Sequence, residues 1–436
     1  GEQWDETDAR QIGAAVGRLL AARQLDRIYV GGDFRHSTAV LKDALIDGLL
    51  VRGIHVVDVG HSATPVVNHA ARHAKCPNVA VVTASHNPGK YNGIKLLVGG
   101  RPALPPLIGE LRWLLEADSA DQPRGTLSHH DPHPDYRAWV VTAANALIPG
   151  FTTGPGLKIV LDTMGGAFTD VAPRILTTAG HQVISIREQL DPAYETVDPN
   201  PANDRNLQPL VHRVVASGAD LGAALDGDGD RVIFVTHDGY IARPEQVAAL
   251  LVKTCFPGCR VVYDLKCASL VRQTVHRYGG EAIMQPSGYG FIRAKLLEEN
   301  ATMGVEASGH HFFQALDGGD DGLFTGLLVM GLVQQASASL AELISQFTWP
   351  EITPDIRVAV EGSRTKKLER IADTCGGIVS RLDGIRSDYD GLGWALARVS
   401  ITEPVITLRF EGGNPEQLHN IVERFLAGVP SLREQV

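Results

Sequence analysis

One pattern occurs three times along the chain and sets what it can fold into. An apolar run ends at an aspartate, a loop follows, a helical stretch closes on glycine, and a second apolar run begins. The first copy runs from Arg27-Ile28-Tyr29-Val30 and Asp33 through Gly53 to Ile54–Val59. The second runs from Lys158–Leu161 and Asp162 through Gly180 to His181–Ile186. The third runs from Arg260–Tyr263 and Asp264 through Gly279-Gly280 to Glu281–Met284. Continuous apolar strands joined through helices indicate parallel βαβ units covered on both faces. Glycine stands where each helix must stop because it tolerates the left-handed conformation there. The repeats predict three related α/β domains with mixed, largely parallel sheets. The tail is different. Residues 355–360, 394–398 and 405–410 read as strands, and 365–375 and 415–426 as helices, which predicts a smaller C-terminal α+β domain. Connectors rich in Pro, Gly or His near 128–134, 149–155 and 349–354 give expected domains at 1–148, 149–243, 244–350 and 351–436.

Charge and hydropathy remove several classes of function. The 436 residues carry 40 Lys and Arg against 50 Asp and Glu, a net charge of −10. No basic field is available to hold a nucleic acid backbone. The longest strongly apolar stretch, around Leu323–Val333, is too short to span a bilayer, so no membrane partner is expected. The N-terminus is acidic and polar and shows no secretory signal. Five cysteines, an odd and small number, fit a reducing cytoplasm rather than a disulfide scaffold. Cys255 and Cys259 lack a second Cys/His pair with zinc spacing, and His129-His130-Asp131-Pro132-His133 reads as a solvated linker. Neither a P-loop nor a G-x-G-x-x-G is present, which argues against a nucleotide enzyme.

Leu225-Asp226-Gly227-Asp228-Gly229-Asp230-Arg231 is the sharpest chemical signal. Apolar runs flank it, which places it on a tight loop between strands. Two like charges about 4 Å apart repel by about 4 kcal/mol at an effective dielectric near 20. Three converging carboxylates therefore call for a cation, and oxygen ligands favour hard Mg²⁺, Mn²⁺ or Ca²⁺. An EF-hand is excluded, since Arg231 and His237 occupy its glycine and glutamate positions.

Three further segments carry weaker signals. In Val81–Lys95 an apolar strand feeds a loop dense in turn formers, and Ser85 sits where the strand gives out. The G-x-S-x-G elbow of a hydrolase is absent. In extended chain the neighbouring His86 points away from Ser85. A serine that carries a phosphoryl group beside the cation fits this better, although an ordinary loop serine fits these residues as well. Glu306, Ser308 and His310 lie on the loop Gly304–His311 and suit sugar hydroxyls; a surface turn is the competing reading. Arg398, Ser400 and Thr402 alternate along an extended segment, as phosphate oxygens would want. A structural strand end is the commoner origin of such a pattern.

Taken in order, these four segments resemble the α-D-phosphohexomutases, the phosphomannomutase/phosphoglucomutase group, along almost the whole chain. The resemblance extends to Val30-Gly31-Gly32-Asp33-Phe34-Arg35-His36-Ser37, Thr64-Pro65, Asp198-Pro199-Asn200-Pro201, Val262–Cys267 and Asp383-Gly384-Ile385. It implies four domains around a central cleft. It implies an enzyme that interconverts hexose 1-phosphate and hexose 6-phosphate, of mannose and/or glucose, through phosphorylated Ser85. A hexose 1,6-bisphosphate would be both intermediate and activator. Mg²⁺ would be held by Ser85, Asp226, Asp228 and Asp230. Arg231 would assist, and Glu306 and Ser308 would hold sugar hydroxyls. Arg398, Ser400 and Thr402 would clamp the phosphate that is not reacting. Lys95, Lys266 and His310 become candidates for proton transfer or sugar contact, and His86 for substrate binding. Hexose phosphates are the expected partners, and a monomer or homodimer the expected state.

The sequence also departs from the family pattern. The family usually begins with Tyr-Asp-(Ile/Val)-Arg-Gly, and this sequence starts at Gly1, about where that segment would end. Val305 stands where Gly usually precedes the sugar-loop glutamate. Ser287-Gly288-Tyr289-Gly290 replaces a Thr-Gly-His-Ser segment, losing a histidine. Val399 and Ile401 stand where Pro and Asn or Gly are usual. These changes bear on substrate preference and efficiency. A phosphoglucosamine mutase is the same-fold alternative, disfavoured by Ala307 where Gln is expected. A non-catalytic sugar-phosphate-binding protein is the alternative from another class.

Overall fold

The computed structural model describes residues 4–116, 123–150, 154–399 and 404–436. Ser400 and Thr402 lie outside the described residues.

The three repeats build three sheets on one plan. The first sheet contains β1 (Arg27–Gly32), β2 (His55–His61), β3 (Val79–Val82), β4 (Ile94–Val98), β5 (Arg101–Pro102) and β6 (Leu127–His129), in the order β5-β4-β3-β1-β2-β6. The second contains β7 (Lys158–Asp162), β8 (Gln182–Ile186), β9 (Leu221–Leu225), β10 (Val232–Thr236) and β11 (Ile241–Ala242), in the order β11-β10-β9-β7-β8. The third contains β12 (Arg260–Asp264), β13 (Glu281–Gln285), β14 (Met303–Val305) and β15 (His311–Phe313), in the order β13-β12-β14-β15. In each, the first strand lies between two parallel partners. The outer of these then turns back into an antiparallel strand: β3 into β4, β9 into β10, β14 into β15. The Ser85 loop, the three-aspartate loop and the Glu306 loop are those three turns. The sequence repeat therefore delivers its three chemical segments to equivalent edges of three sheets.

The tail forms an antiparallel sheet of β16 (Glu351–Ile352), β17 (Ile356–Ala359), β18 (Ile378–Ser380), β19 (Ile385–Tyr389), β20 (Gly393–Val399) and β21 (Val405–Gly412). Helix Pro415–Leu426 packs on it through Ile421, Phe425 and Leu426. The sheet is wholly antiparallel, which suits an α+β layer with one face open.

The apolar stretch Leu323–Val333 becomes the interior of helix Gly322–Ala336 and is buried on all sides. A helix apolar all round has no solvent face to offer and must sit in a core. It shares one continuous cluster with Tyr136, Val140, Leu161, Phe168, Phe234 and Phe313, drawn from all three α/β layers. Burying each such side chain contributes about 1.5–3 kcal/mol. The sheets are thereby fixed relative to one another, and so are the loops at their edges. Asp321 caps this helix by accepting from the Phe324 N–H at 2.9 Å. Among the described residues no helix is long and apolar enough to cross a membrane.

Candidate active site

The loop after β3 is pinned by a buried arginine. Arg35, 1% exposed, donates from Nε to Asp33 Oδ2 at 2.9 Å. Its two terminal nitrogens reach the backbone carbonyls of Ser85, Asn87, Pro88 and Tyr91 at 2.7–3.1 Å. Asp33 is held in turn by the hydroxyls of Thr38 and Thr83. This network maintains Ser85 at φ +53°, a left-handed conformation that costs a non-glycine residue of order 1 kcal/mol. The same turn brings Ser85 Oγ within 3.3 Å of His86 Nδ1. An extended backbone would point the two side chains apart; the positive φ of Ser85 turns them together instead. Burial and the nearby Arg231 push His86 down to about 3, so the ring is neutral at ordinary pH.

Gly227 lets the second loop approach the first. A Cβ there would lie 2.5 Å from the Ser85 carbonyl oxygen. Gly229, at φ +81°, would drive a Cβ to 2.2 Å from the Phe168 ring. Only glycine serves at either place. The loop turns the Asp226, Asp228 and Asp230 carboxylates together. One oxygen from each lies within 4.8 Å of the others, and all three groups are buried. Ser85 Oγ donates to Asp226 Oδ2 at 3.0 Å. Thr64 Oγ1 and Lys95 Nζ each donate to Asp228 Oδ2 at 2.6 Å, and Lys95 also pairs with Asp230.

Burial, with Asp230 and Asp228 beside it, pushes the Asp226 carboxyl well above the carboxylate range. Burial acts on Asp228 in the same sense, but Lys95 and Thr64 outweigh it and hold Asp228 below that range. Lys95 is the mirror case: burial opposes its charge, yet Asp228 and Asp230 keep it protonated. The buried oxygens Asp228 Oδ1 and Asp230 Oδ1 have no hydrogen-bond partner. Orphaned anionic oxygens beside a serine hydroxyl fit a hard divalent cation. Asp226, Asp228, Asp230 and Ser85 are the residues that could hold it.

The third loop supplies polar groups that face these. Gly288 N–H donates to Glu306 Oε1 at 2.6 Å. Burial, reinforced by Asp264, pushes Glu306 up to about 8. Arg231 Nε donates to His310 Nε2 at 2.8 Å, and His310 Nδ1 lies 2.7 Å from Asp320 Oδ2. An N–H donor at Nε2 leaves the ring proton on Nδ1, where Asp320 accepts it. Burial pushes His310 down to about 3, which keeps that neutral tautomer.

Ser85, His86, Lys95, Arg231, Lys266, Glu306, Ser308 and His310 line one cavity of about 900 Å³. The aspartates lie behind its wall. Lys266 pairs with Asp355 across to the C-terminal layer. Arg398 is not among the residues lining this cavity; it pairs with Asp383 at 2.5 Å. Arg35, Thr64, Tyr289 and Asp320 also belong to the site, and sequence reasoning gave them no role. Thr64 and Arg35 fell inside segments already noted for their resemblance, which was the one signal available.

Comparison with known proteins agrees with this geometry. Three family profiles match in succession, described as phosphoglucomutase/phosphomannomutase alpha/beta/alpha domains I, II and III, over residues 1–120, 141–239 and 243–349. A phosphomannomutase/phosphoglucomutase of Pseudomonas aeruginosa is 33% identical over 429 residues, 97% of this chain and 91% of that protein. A phosphoglucomutase of Neisseria meningitidis is 31% identical, covering 99% and 94%. The crystal structure of a phosphoglucomutase/phosphomannomutase family protein from Burkholderia thailandensis superposes with a TM-score of 0.89. It is 30% identical, over 99% of this chain and 94% of that one. With three repeated layers, their loops meeting at one cavity and matches of this extent, the chain belongs to the phosphoglucomutase/phosphomannomutase group of the α-D-phosphohexomutases.

Proposed function

We propose that this chain interconverts hexose 1-phosphate and hexose 6-phosphate, of mannose and/or glucose, through phosphorylated Ser85 and a hexose 1,6-bisphosphate that also serves as activator. The observation that carries the reading is the Ser85 hydroxyl 3.0 Å from Asp226, at the wall of a cavity that also presents Glu306 and Ser308. The working division of labour is domains 1–148, 149–243, 244–350 and 351–436, each contributing one loop.

In the forward half-reaction the Oγ–P bond of phospho-Ser85 breaks as a bond forms between phosphorus and a sugar hydroxyl oxygen. The sugar hydroxyl loses one proton and the serine regains one. The bisphosphate then reverses in the cleft and returns its other phosphoryl group to Ser85. Mg²⁺ bound by the aspartates and Ser85 would neutralise charge on the transferring group. Lys95, held protonated, acts as a fixed cation rather than a base. Arg231 turns from His310 to a phosphoryl oxygen, which frees His310 Nε2 to accept the hydroxyl proton. Glu306 and Ser308 hold sugar hydroxyls common to both orientations, and His86 contacts the substrate beside Ser85. Lys266 with Arg398, Ser400 and Thr402 receives the phosphate that is not reacting.

The test is interconversion of the 1- and 6-phosphates of mannose, glucose and glucosamine, side by side, with Mg²⁺ and a trace of hexose 1,6-bisphosphate. Turnover on mannose or glucose is expected, with a phosphoryl group on Ser85 by peptide mass spectrometry. Failure on all three sugars ends the reading, and preference for glucosamine redirects it.

A further inference from the structure

Helix Tyr289–Glu298 borders the cleft and also a separate, charged cavity. Tyr289, in its first turn, lines the cleft already described. Arg293, one turn further, lines a second cavity of about 450 Å³. That cavity lies between this helix and the first sheet, where Lys75 follows helix Thr64–His73 and Arg101 begins β5.

Its charge is lopsided. Arg72, Lys75, Arg101 and Arg293 face it, against the single carboxylate of Asp317. Arg293 is 5% exposed, and its Nε is buried without a hydrogen-bond partner. Among the described residues none of these four cations lies within ion-pair distance of a carboxylate. Arg72 instead stacks on Trp139 at 4.5 Å and approaches His69 Nδ1 at 3.3 Å. Burial lowers the affinity of both arginines for their protons. An unpaired buried guanidinium is costly, and a guanidinium fork matches phosphate oxygens two at a time. Val79, Leu97 and Leu297 also line the cavity and give it an apolar part suited to a carbon skeleton.

We propose that this second cavity binds a small phosphorylated organic anion, separately from the substrate in the cleft. The bound anion bridges the first and third α/β layers. Both layers contribute loops to the cleft, and Tyr289 shares a helix with Arg293, so the site is placed to act on the cleft from outside it.

Inorganic pyrophosphate, titrated calorimetrically at low ionic strength in EDTA, is the probe. Two classes of site are expected in the unmodified protein. Lys75→Ala combined with Arg101→Ala, both at exposed positions, is expected to weaken one class about tenfold or more and leave the other. Arg293→Met is expected to remove the same class, and Lys266→Ala to weaken only the other. Mutase activity of the Lys75→Ala/Arg101→Ala protein in the absence of pyrophosphate is expected to be unchanged. Two classes that both survive the Lys75 and Arg101 substitutions overturn the proposal, as does a single class lost in Lys266→Ala alone.

Discussion

Ser85 and Asp226 are 141 positions apart in the chain, yet the serine hydroxyl donates to the aspartate's Oδ2 at 3.0 Å. Asp226 Oδ1 is separately engaged by the backbone N–H groups of Gly229 and Arg231. Asparagine can keep that arrangement, with its carbonyl toward the backbone donors and its amide toward Ser85.

The first prediction follows from this isostere. Asp226→Asn is expected to be close to neutral for stability in EDTA, since three buried carboxylates exceed what Lys95 and Arg231 neutralise. Mg²⁺ at about 100 times its Kd is expected to stabilise the unmodified protein by about 2.7 kcal/mol, and the variant by far less. Thermal unfolding with and without Mg²⁺ measures both. An Mg²⁺-induced rise in Tm that persists undiminished in the variant would rule out Asp226 as a ligand.

Arg35 is the second case. It satisfies Asp33 and four carbonyls of the serine loop from one buried fork. Lysine offers three donors from a single point and leaves acceptors unpaired, at about 1–3 kcal/mol each. Arg35→Lys is expected to lose about 3 kcal/mol in urea unfolding, the cost of one to three buried acceptors left unsatisfied. It is also expected to lower kcat about tenfold or more, with KM less affected, because Ser85 loses its enforced φ. Wild-type kcat in the variant would show that the loop holds its shape without the fork.

The parts legible from sequence were those with local signatures. Leu221–Leu225 and Val232–Thr236 are apolar strands around a glycine-spaced turn, and the structure joins them as β9 and β10. Helix Pro415–Leu426 was expected over the same residues, because Asn414, Pro415 and the apolar period mark it clearly. In contrast, β19 was missed because Arg386 and Asp388 break its apolar pattern. The fold buries that arginine by pairing it with Asp388 and laying it 4.0 Å over Trp394. The roles of Arg35, Thr64 and Asp320 were illegible for another reason. Thr64 meets Asp228 from 164 positions away, and Arg35 meets the serine-loop carbonyls from 50 or more. Asp320 finds His310 only through the fold of the third sheet's edge, and no motif spacing encodes any of these pairings.

Glu306 gives a prediction in pH. Burial and Asp264 push its carboxyl up to about 8, so it carries a proton at neutral pH and can donate to a sugar hydroxyl. Above that value it becomes an anion facing a phosphorylated substrate. KM for the hexose phosphate is therefore expected to rise between about pH 7 and 9, with kcat less affected. Glu306→Gln, which keeps a donor and cannot ionise, is expected to flatten this rise. Steady-state kinetics across the range decides it, and a KM in the unmodified protein that is constant over that interval would count against the assignment.

The Tyr136–Asp321 pair predicts a pH dependence of stability away from the cleft. Tyr136 donates to Asp321 Oδ2 at 2.8 Å at the start of the central buried helix. Burial pushes Asp321 up to about 7 from its ordinary 3.8. The folded protein therefore binds this proton more tightly than the unfolded chain. The stability it contributes is complete below pH 3.8, drains as pH climbs toward about 7, and is gone above that. The slope is roughly 1.4 kcal/mol per pH unit at most. Asp321→Asn keeps an effective helix cap and has no charge to bury. Its amide can also donate to the Tyr136 oxygen. Relative to the unmodified protein, the variant is expected to gain roughly 2–4 kcal/mol between about pH 4 and pH 8. Urea unfolding of both proteins at intervals across that range measures the gap, and a gap independent of pH would mean that Asp321 is ionised in the fold throughout.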